Sequence, residues 1–334
     1  MVLTTRSPNI GIVEDFGAIS DNEKGFIYYF AVLLFVIVTI FSTLLTAAFI
    51  IVSIFLWNHF KPIKFFWFLS QLTISAFLIS TLNLLINVPA ALSLISAEIA
   101  QSPMFMIMAY TIDFFHYSIL FSNLVIAIQR LFVFFLRHLT DKFFETPIIY
   151  IWLLSVWLFP FLIEFSFVSS KCKYRYSTSE KRFLLNCEVD SITSVPIFSN
   201  PTTGIAMIDT SIQLVIPFLI LGIYIAIIGK IITMKRTTLN KNEIAILQQA
   251  IFVFIVFQTS SFVFLLSRIF EITGATAFIV KRFVNTMEIF GGAATPCFFF
   301  FTSKEIRKLV SNRVSAASSL GGSNVQVRRQ TVDG

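Results

Sequence analysis

A chain of 334 residues that is 56% hydrophobic, only 13% charged and has a mean hydropathy of +0.84 cannot hide its apolar surface from water as a soluble domain would. Its 41 phenylalanines and its aliphatic residues are gathered in runs separated by charged clusters, several reaching the roughly 20 residues that a spanning helix needs. The composition predicts an integral membrane protein whose net charge of +7 belongs to a lipid surface and not to nucleic acid.

Residues 1–25 are polar and partly acidic, with Glu14, Asp15, Asp21 and Glu23, and lack the basic start and short apolar core of a cleaved signal peptide. They read as an extracellular tail, and the first span, Phe26–Trp57, as its own insertion signal. The basic loop Asn58–Lys64 leads to a second span, Phe65–Ile95, whose outer part Pro89 is expected to bend. After the short loop Ser96–Pro103 comes Met104–Arg137, around which the other spans are organised. It is apolar enough to cross a bilayer yet carries Asp113, His116 and Asn123, and Arg130 marks the start of its basic end. At about 100° per residue these four share one stripe, with a weaker stripe of Thr111, Ser118, Ser122 and Gln129 on the opposite face. Ionisable side chains facing lipid are costly, so this third span is predicted to be the centre of a bundle.

His138–Thr146 reads as a charged loop and Pro147–Val168 as the fourth span, with Glu164 near its far end. The longest loop, Ser169–Thr203, holds Cys172 and Cys187. The fifth span is Gly204–Thr233, with Asp209 early in it. Met234–Glu243 is a loop with Lys235 and Arg236, followed by a sixth span, Ile244–Phe270, and a seventh, Ala277–Phe301. Thr302 and Glu305 have capping-box spacing, so residues 302–314 are expected to form a short amphipathic helix along the membrane face. Residues 315–334, rich in Ser, Gly and Arg, read as a disordered cytoplasmic tail. The fold class is therefore an all-α membrane protein, a seven-transmembrane helix bundle over residues 26–301.

Orientation follows from the distribution of Lys and Arg. With the N-terminus outside, the first, third and fifth loops and the tail face the cytoplasm and gather the basic excess, while the remaining segments are net acidic. Cys172 and Cys187 then share a loop on the oxidising side. A bond between them closes a loop of about 16 residues, worth roughly 3 kcal/mol on chain-entropy grounds, and the alternative is two free thiols. Cys297, inside the seventh span, reads as a packing residue.

An enzyme reading finds little to rest on. There are only three histidines, and neither a metal-ligand spacing nor a phosphate-cradling glycine loop is present, so no metal or cofactor is expected. The informative residues are the ionisable ones within the spans. Measured from Arg130 at helical rise, Asp113 lies roughly 25 Å and His116 roughly 21 Å up the third span, and Glu288 lies roughly 20 Å up the seventh from Phe301. These three can share a level, with Glu164 and Asp209 nearer the outer mouth. They read either as a ligand pocket open to the outside or as interhelical hydrogen-bond glue worth about 1 kcal/mol per bond. Arg268, Glu271, Lys281 and Arg282 read as a solvated rim. Arg130 reads either as a side chain snorkelling to the interface or as a switch whose partner changes when helices shift.

Seven spans, an outside N-terminus, an Arg closing the third helix and a Pro late in the seventh look like a G-protein-coupled receptor. Through AIQRLFVFF (Ala127–Phe135), NEIAILQQAIFVFIVFQ (Asn242–Gln258) and TPCFFFFTSKEIRK (Thr295–Lys308) the chain resembles the serpentine chemoreceptors of nematodes. Gln129-Arg130 stands where the rhodopsin-like family has Asp/Glu-Arg-Tyr, but Leu131 replaces the Tyr and no acid precedes the Arg. Thr295-Pro296 stands where that family has Asn-Pro. The third span lacks the family's outer Cys, which favours pairing Cys172 with Cys187. The resemblance implies a chemosensory receptor of the plasma membrane, and by family a place in a sensory cilium. It implies a small external ligand held by Asp113, His116, Glu288 and Glu164. A heterotrimeric G protein would be engaged through Arg130, Gln129, Lys235, Arg236 and Pro296. The rival reading is a ligand-gated channel, expected with its N-terminus inside, or a transporter, expected with paired repeats and broken helices.

Overall fold

The computed structural model describes residues 24–170, 172–177, 181–187, 204–233 and 274–302, together with 251, 252, 255, 259, 262 and 263. In chain order the elements are α1 (Phe26–Phe55), α2 (Trp57–Phe60), α3 (Lys64–Leu85), α4 (Asn87–Ala91), α5 (Ala97–Ala100), α6 (Pro103–Phe135), α7 (Arg137–Phe144) and α8 (Ile148–Ser169). They are followed by β1 (Cys172–Ser177), β2 (Arg182–Cys187), α9 (Gly204–Thr233) and α10 (Gly274–Thr302). Among the described residues, five helices are long and apolar enough to cross a membrane: Phe26–Phe55, Lys64–Ala91, Pro103–Phe135, Ile148–Ser169 and Ser211–Ile231. The protein is thus mostly helical, with a multi-pass set of apolar helices. α10 covers the expected seventh span and has 29 residues, but it carries Lys281, Arg282 and Glu288 and stands outside those five. Most of the expected sixth span, and residues 303–334 with their expected surface helix and tail, lie outside the described residues.

α1 shows how polar side chains enter such a bundle. Its buried positions are Tyr28, Val32, Phe35, Thr39, Ser42, Thr46, Phe49 and Ser53, a strict alternation of four- and three-residue steps that keeps one seam facing its neighbours. Thr39, Thr46 and Ser53 each donate to the carbonyl four residues back at 2.7 Å, so their hydroxyls are satisfied inside the helix. Ser42 reaches across the seam to Ser80 Oγ (2.9 Å) and to the carbonyl of Ile289 (3.3 Å), linking α1, α3 and α10. Leu33, Ile37, Leu44 and Ile51 lie on its exposed face.

The α3–α4 boundary locates the effect of Pro89. The expected bend is a break at Ile86 (φ −117°, ψ −61°), three residues before the proline. Pro89 has no N–H to give Leu85, and its ring crowds the carbonyl four residues back, so the helix ends at Leu85 and restarts at Asn87.

α6 begins at Pro103, preceded by Ser102 with extended backbone, where a proline's missing N–H and fixed φ cost nothing. Half of its most apolar window is buried, close to the 56% of Lys64–Ala91 and well above the 22% of α8. Phe68, Leu72, Ala76 and Ile79 of α3 and Ile220, Tyr224 and Ile227 of α9 join Phe115, Ile119 and Ile126 of α6 in one core. Ser75 and Ser118 bridge α3 and α6 at 2.8 Å, and Gln71 donates to the Leu153 carbonyl of α8 at 2.8 Å. The stripe read as the weaker one therefore supplies some of the deepest polar residues, since Ser118, Ser122 and Gln129 are all buried.

Three expectations change. His138–Thr146 is not a plain charged loop: Arg137–Phe144 forms α7, which turns Phe144 into the core against Phe68, Phe132 and Trp152. The long loop begins with an antiparallel hairpin in which Cys172 stands opposite Cys187 and Tyr174 opposite Leu185. Lys281 and Arg282 are not a solvated rim, because both are buried, Arg282 at 2% exposure, while Arg268 and Glu271 lie outside the described residues.

Candidate functional site

Two ends of α6 carry the groups with chemistry. Toward its N-terminal end, Asp113 sits half-buried and its carboxylate accepts a hydrogen bond from the phenol of Tyr174 on β1. One turn toward the N-terminus of α6, the Tyr110 hydroxyl donates to the backbone carbonyl of Cys172 at 2.7 Å. The two tyrosine rings meet edge to face, centroids 4.6 Å apart and planes at 87°, the arrangement that ring quadrupoles favour. One turn inward from Asp113, His116 Nδ1 lies 3.5 Å from Glu288 Oε2 of α10. Glu164 on α8 is buried and close enough to Tyr110 and Tyr174 for its charge to be felt at both phenols.

Burial, and then the negative charges of Asp113 and Glu164, hold the Tyr174 phenol well above its ordinary range. It therefore stays a neutral donor to Asp113. The hairpin is tied at its turn as well: Arg282 of α10 donates to the Lys181 carbonyl at 2.5 Å, where Lys181 takes a left-handed φ of 50°. The Arg282 guanidinium lies 5.0 Å from the Phe35 ring centroid and 5.1 Å from that of Phe278, a cation held over aromatic faces. Cys172 is disulfide-bonded, and the residue opposite it in the ladder is Cys187.

At the other end of α6, Arg130 is buried, with its guanidinium 3.9 Å from the centroid of Phe65 and within electrostatic reach of Tyr224 on α9. A snorkelling Arg would be exposed, so this one is part of the packing between α3, α6 and α9. Gln129 beside it is buried too, and its Oε1 has no hydrogen-bond partner among the described residues. Lys230 Nζ lies 5.7 Å from the Phe135 ring centroid. Pro296 lies within α10, whereas Lys235 and Arg236, and the side chain of Asp209, are outside the described residues.

The structure thus sets both Asp113 and Glu164 within electrostatic reach of Tyr174 and joins His116 to Glu288. What the sequence reading lacks are Tyr110, Tyr174 and the inward role of Arg282. A signal for Tyr174 exists: CKYRYS alternates apolar or aromatic with basic residues, the period of a half-buried strand, and Cys172 and Tyr174 are buried while Lys173 and Arg175 are exposed. Among the described residues no group of three or more His, Cys, Asp or Glu is placed to hold a metal ion. No curated protein matches the chain. Residues 17–323 match the family described as "Protein of unknown function (DUF621)", and the chain belongs to that family.

Proposed function

We propose that this protein is a seven-span serpentine receptor, N-terminus outside, that binds a small external ligand and activates a heterotrimeric G protein. The observation that carries the reading is the division of labour along α6. Its outer end holds a half-buried carboxylate under a hairpin and a His116–Glu288 contact to the last described helix, while its other end holds a buried Arg130 between α3 and α9. One helix thus joins a cluster of polar side chains to a buried charged group near its other end, and a ligand with different affinities for two packings of α6 would move both. Asp113, His116, Glu288 and Glu164 are the ligand residues of this reading. Arg130, Gln129, Lys235, Arg236 and Pro296 form or adjoin its G-protein face. The resemblance to nematode chemoreceptors adds a small environmental chemical as ligand and the plasma membrane as location.

The test is topology joined to coupling. Tags at residue 1 and residue 334 should stain in intact and only in permeabilised cells, respectively. Arg130→Ala should reach the surface normally and lose most ligand-evoked guanine-nucleotide exchange. A cytoplasmic N-terminus, or an Arg130→Ala protein that signals like the parent, would falsify the receptor reading.

A further inference from the structure

The two faces of the hairpin β1–β2 keep different company. The inner row belongs to the bundle, where Cys172 and Tyr174 are buried and Tyr110 of α6 donates to the Cys172 carbonyl. The alternate positions, Lys173 and Arg175, are exposed. Residues 171–187 carry five basic residues, Lys171, Lys173, Arg175, Lys181 and Arg182, against Glu180 alone. Whatever partner any one of these cations has, the segment keeps a positive excess, which raises the potential over the whole exposed face.

The opposite charge is in the same chain. Residues 1–23, outside the described residues, hold Glu14, Asp15, Asp21 and Glu23 against Arg6 alone. We propose that this N-terminal tail docks on the exposed face of the hairpin, its acidic residues 14–23 lying along Lys173, Arg175 and the turn at Lys181. This goes beyond the receptor reading and stands without it. Four apolar helical segments, Phe26–Phe55, Lys64–Ala91, Pro103–Phe135 and Ile148–Ser169, separate tail from hairpin, so both stand on one side of the membrane whichever side that is.

The root of the tail is next to the hairpin. Tyr28, in the first turn of α1, stacks on Phe278 of α10 with ring centroids 4.6 Å apart. It lies within electrostatic reach of both Lys24 and Arg282, and Arg282 holds the Lys181 carbonyl at the hairpin turn. α4 touches both α1 and β2. From Lys24 back to Glu14 the extended chain spans roughly 33 Å, against about 20 Å for a six-residue strand, so the acids can cover the full length of the face. Exposed ion pairs are individually weak. A tethered partner, however, meets the face at a millimolar effective concentration, and several weak pairs then suffice.

The experiment uses the full chain, disulfide intact, in phosphatidylcholine nanodiscs, with Cys297→Ser and a nitroxide on Val13→Cys. At low salt the label should be largely immobilised, and about 0.5 M salt should release it by screening exposed charge. Lys173→Glu with Arg175→Glu should move the immobile-to-mobile ratio about ten-fold or more toward mobile, the combined effect of surface pairs made repulsive. Glu14→Lys with Asp15→Lys should do the same. All four changes together should return the ratio to within about two-fold of the parent, because the charges meet again with their signs exchanged. A tail as mobile in the parent as in the variants overturns the docking. So does a four-fold variant that stays mobile, and so does a tail that stays immobile after the hairpin reversal, which would place it on lipid or another loop. The neutral pair Lys173→Gln with Arg175→Gln guards against a hairpin that fails to fold: with the Cys172 disulfide intact by thiol titration it should release the tail part of the way, and no release sinks the proposal. No readout uses a ligand or a G protein, so failure here leaves the receptor reading where it stands, and loss of nucleotide exchange leaves the docked tail.

Discussion

His116 and Glu288 join the central helix to the last described one: Nδ1 lies 3.5 Å from Oε2, with the side chains 19% and 24% exposed. Depths counted separately along two helices arrive at the same level, and the contact is where they meet. A polar pair between spans is worth about 1 kcal/mol when the alternative is a poor partner in lipid. His116→Phe and Glu288→Gln should each lower the stability of α6–α10 packing. Unfolding in bicelles should give a coupling of about 1 kcal/mol in the double-mutant cycle. Additive single effects would show that the two side chains stabilise the bundle independently.

At Gly292, α10 comes close against α3. A Cβ built there would stand 2.9 Å from the Ala76 Cβ, with backbone behind it at 3.7 Å, so even Ala must push the helices apart. Gly292→Ala should cost roughly 1–3 kcal/mol, as overpacking does, and Ala76→Gly in the same chain should recover much of it. Thermal unfolding of the single and double variants in the same detergent decides this, and a neutral Gly292→Ala would mean the helices are not in contact there.

The cysteine arithmetic is equally open to measurement. The chain has three cysteines, of which Cys172 is disulfide-bonded with Cys187 opposite it in the ladder. Thiol titration of the denatured, unreduced protein should find one reactive thiol, that of Cys297, and three after reduction. Finding three before reduction would remove the bridge.

Tyr174 supplies a pH signature. Its folded pKa is raised above the ordinary 10.0 by burial and by Asp113 and Glu164. A raised pKa on an acid that is neutral below it means the fold favours the protonated phenol. That contribution is complete below pH 10 and is lost as pH rises through the folded value. In alkaline difference spectra of the parent against Tyr174→Phe, the missing phenolate should emerge only well above pH 10. A signal near pH 10 would place Tyr174 in water.

Much of the fold is legible because lipid imposes a simple rule: apolar length marks a helix, and charge marks its end. Gly204–Thr233 falls on the expected limits for that reason. The central helix is legible from Asp113, His116 and Arg130, which could not face lipid. The hairpin is not, because its two six-residue strands are short, carry Lys173, Arg175 and Arg182, and lie beside a segment that reads as an ordinary loop. Lys281 and Arg282 mislead for a related reason. A pair of cations near a helix start looks like a wet end, yet Arg282 is enclosed by Phe278 one turn back and by Phe35 and the Lys181 carbonyl, neither of which is near it in sequence. Tyr174 becomes a functional candidate only when the hairpin folds back onto α6.

The seam of α1 bears on how the protein is made. Thr39, Thr46 and Ser53 carry their hydrogen-bond partners with them, one turn back in the same helix. A ribosome delivering this chain can hand over its first span to the bilayer before α3 or α10 exists, since those polar side chains need nothing from helices not yet synthesised. Ser42, by contrast, waits for Ser80 and the Ile289 carbonyl, at the middle of the seam where a late-arriving helix docks. Assembly can then proceed in order of synthesis, with α10 closing the contact that α1 has left open.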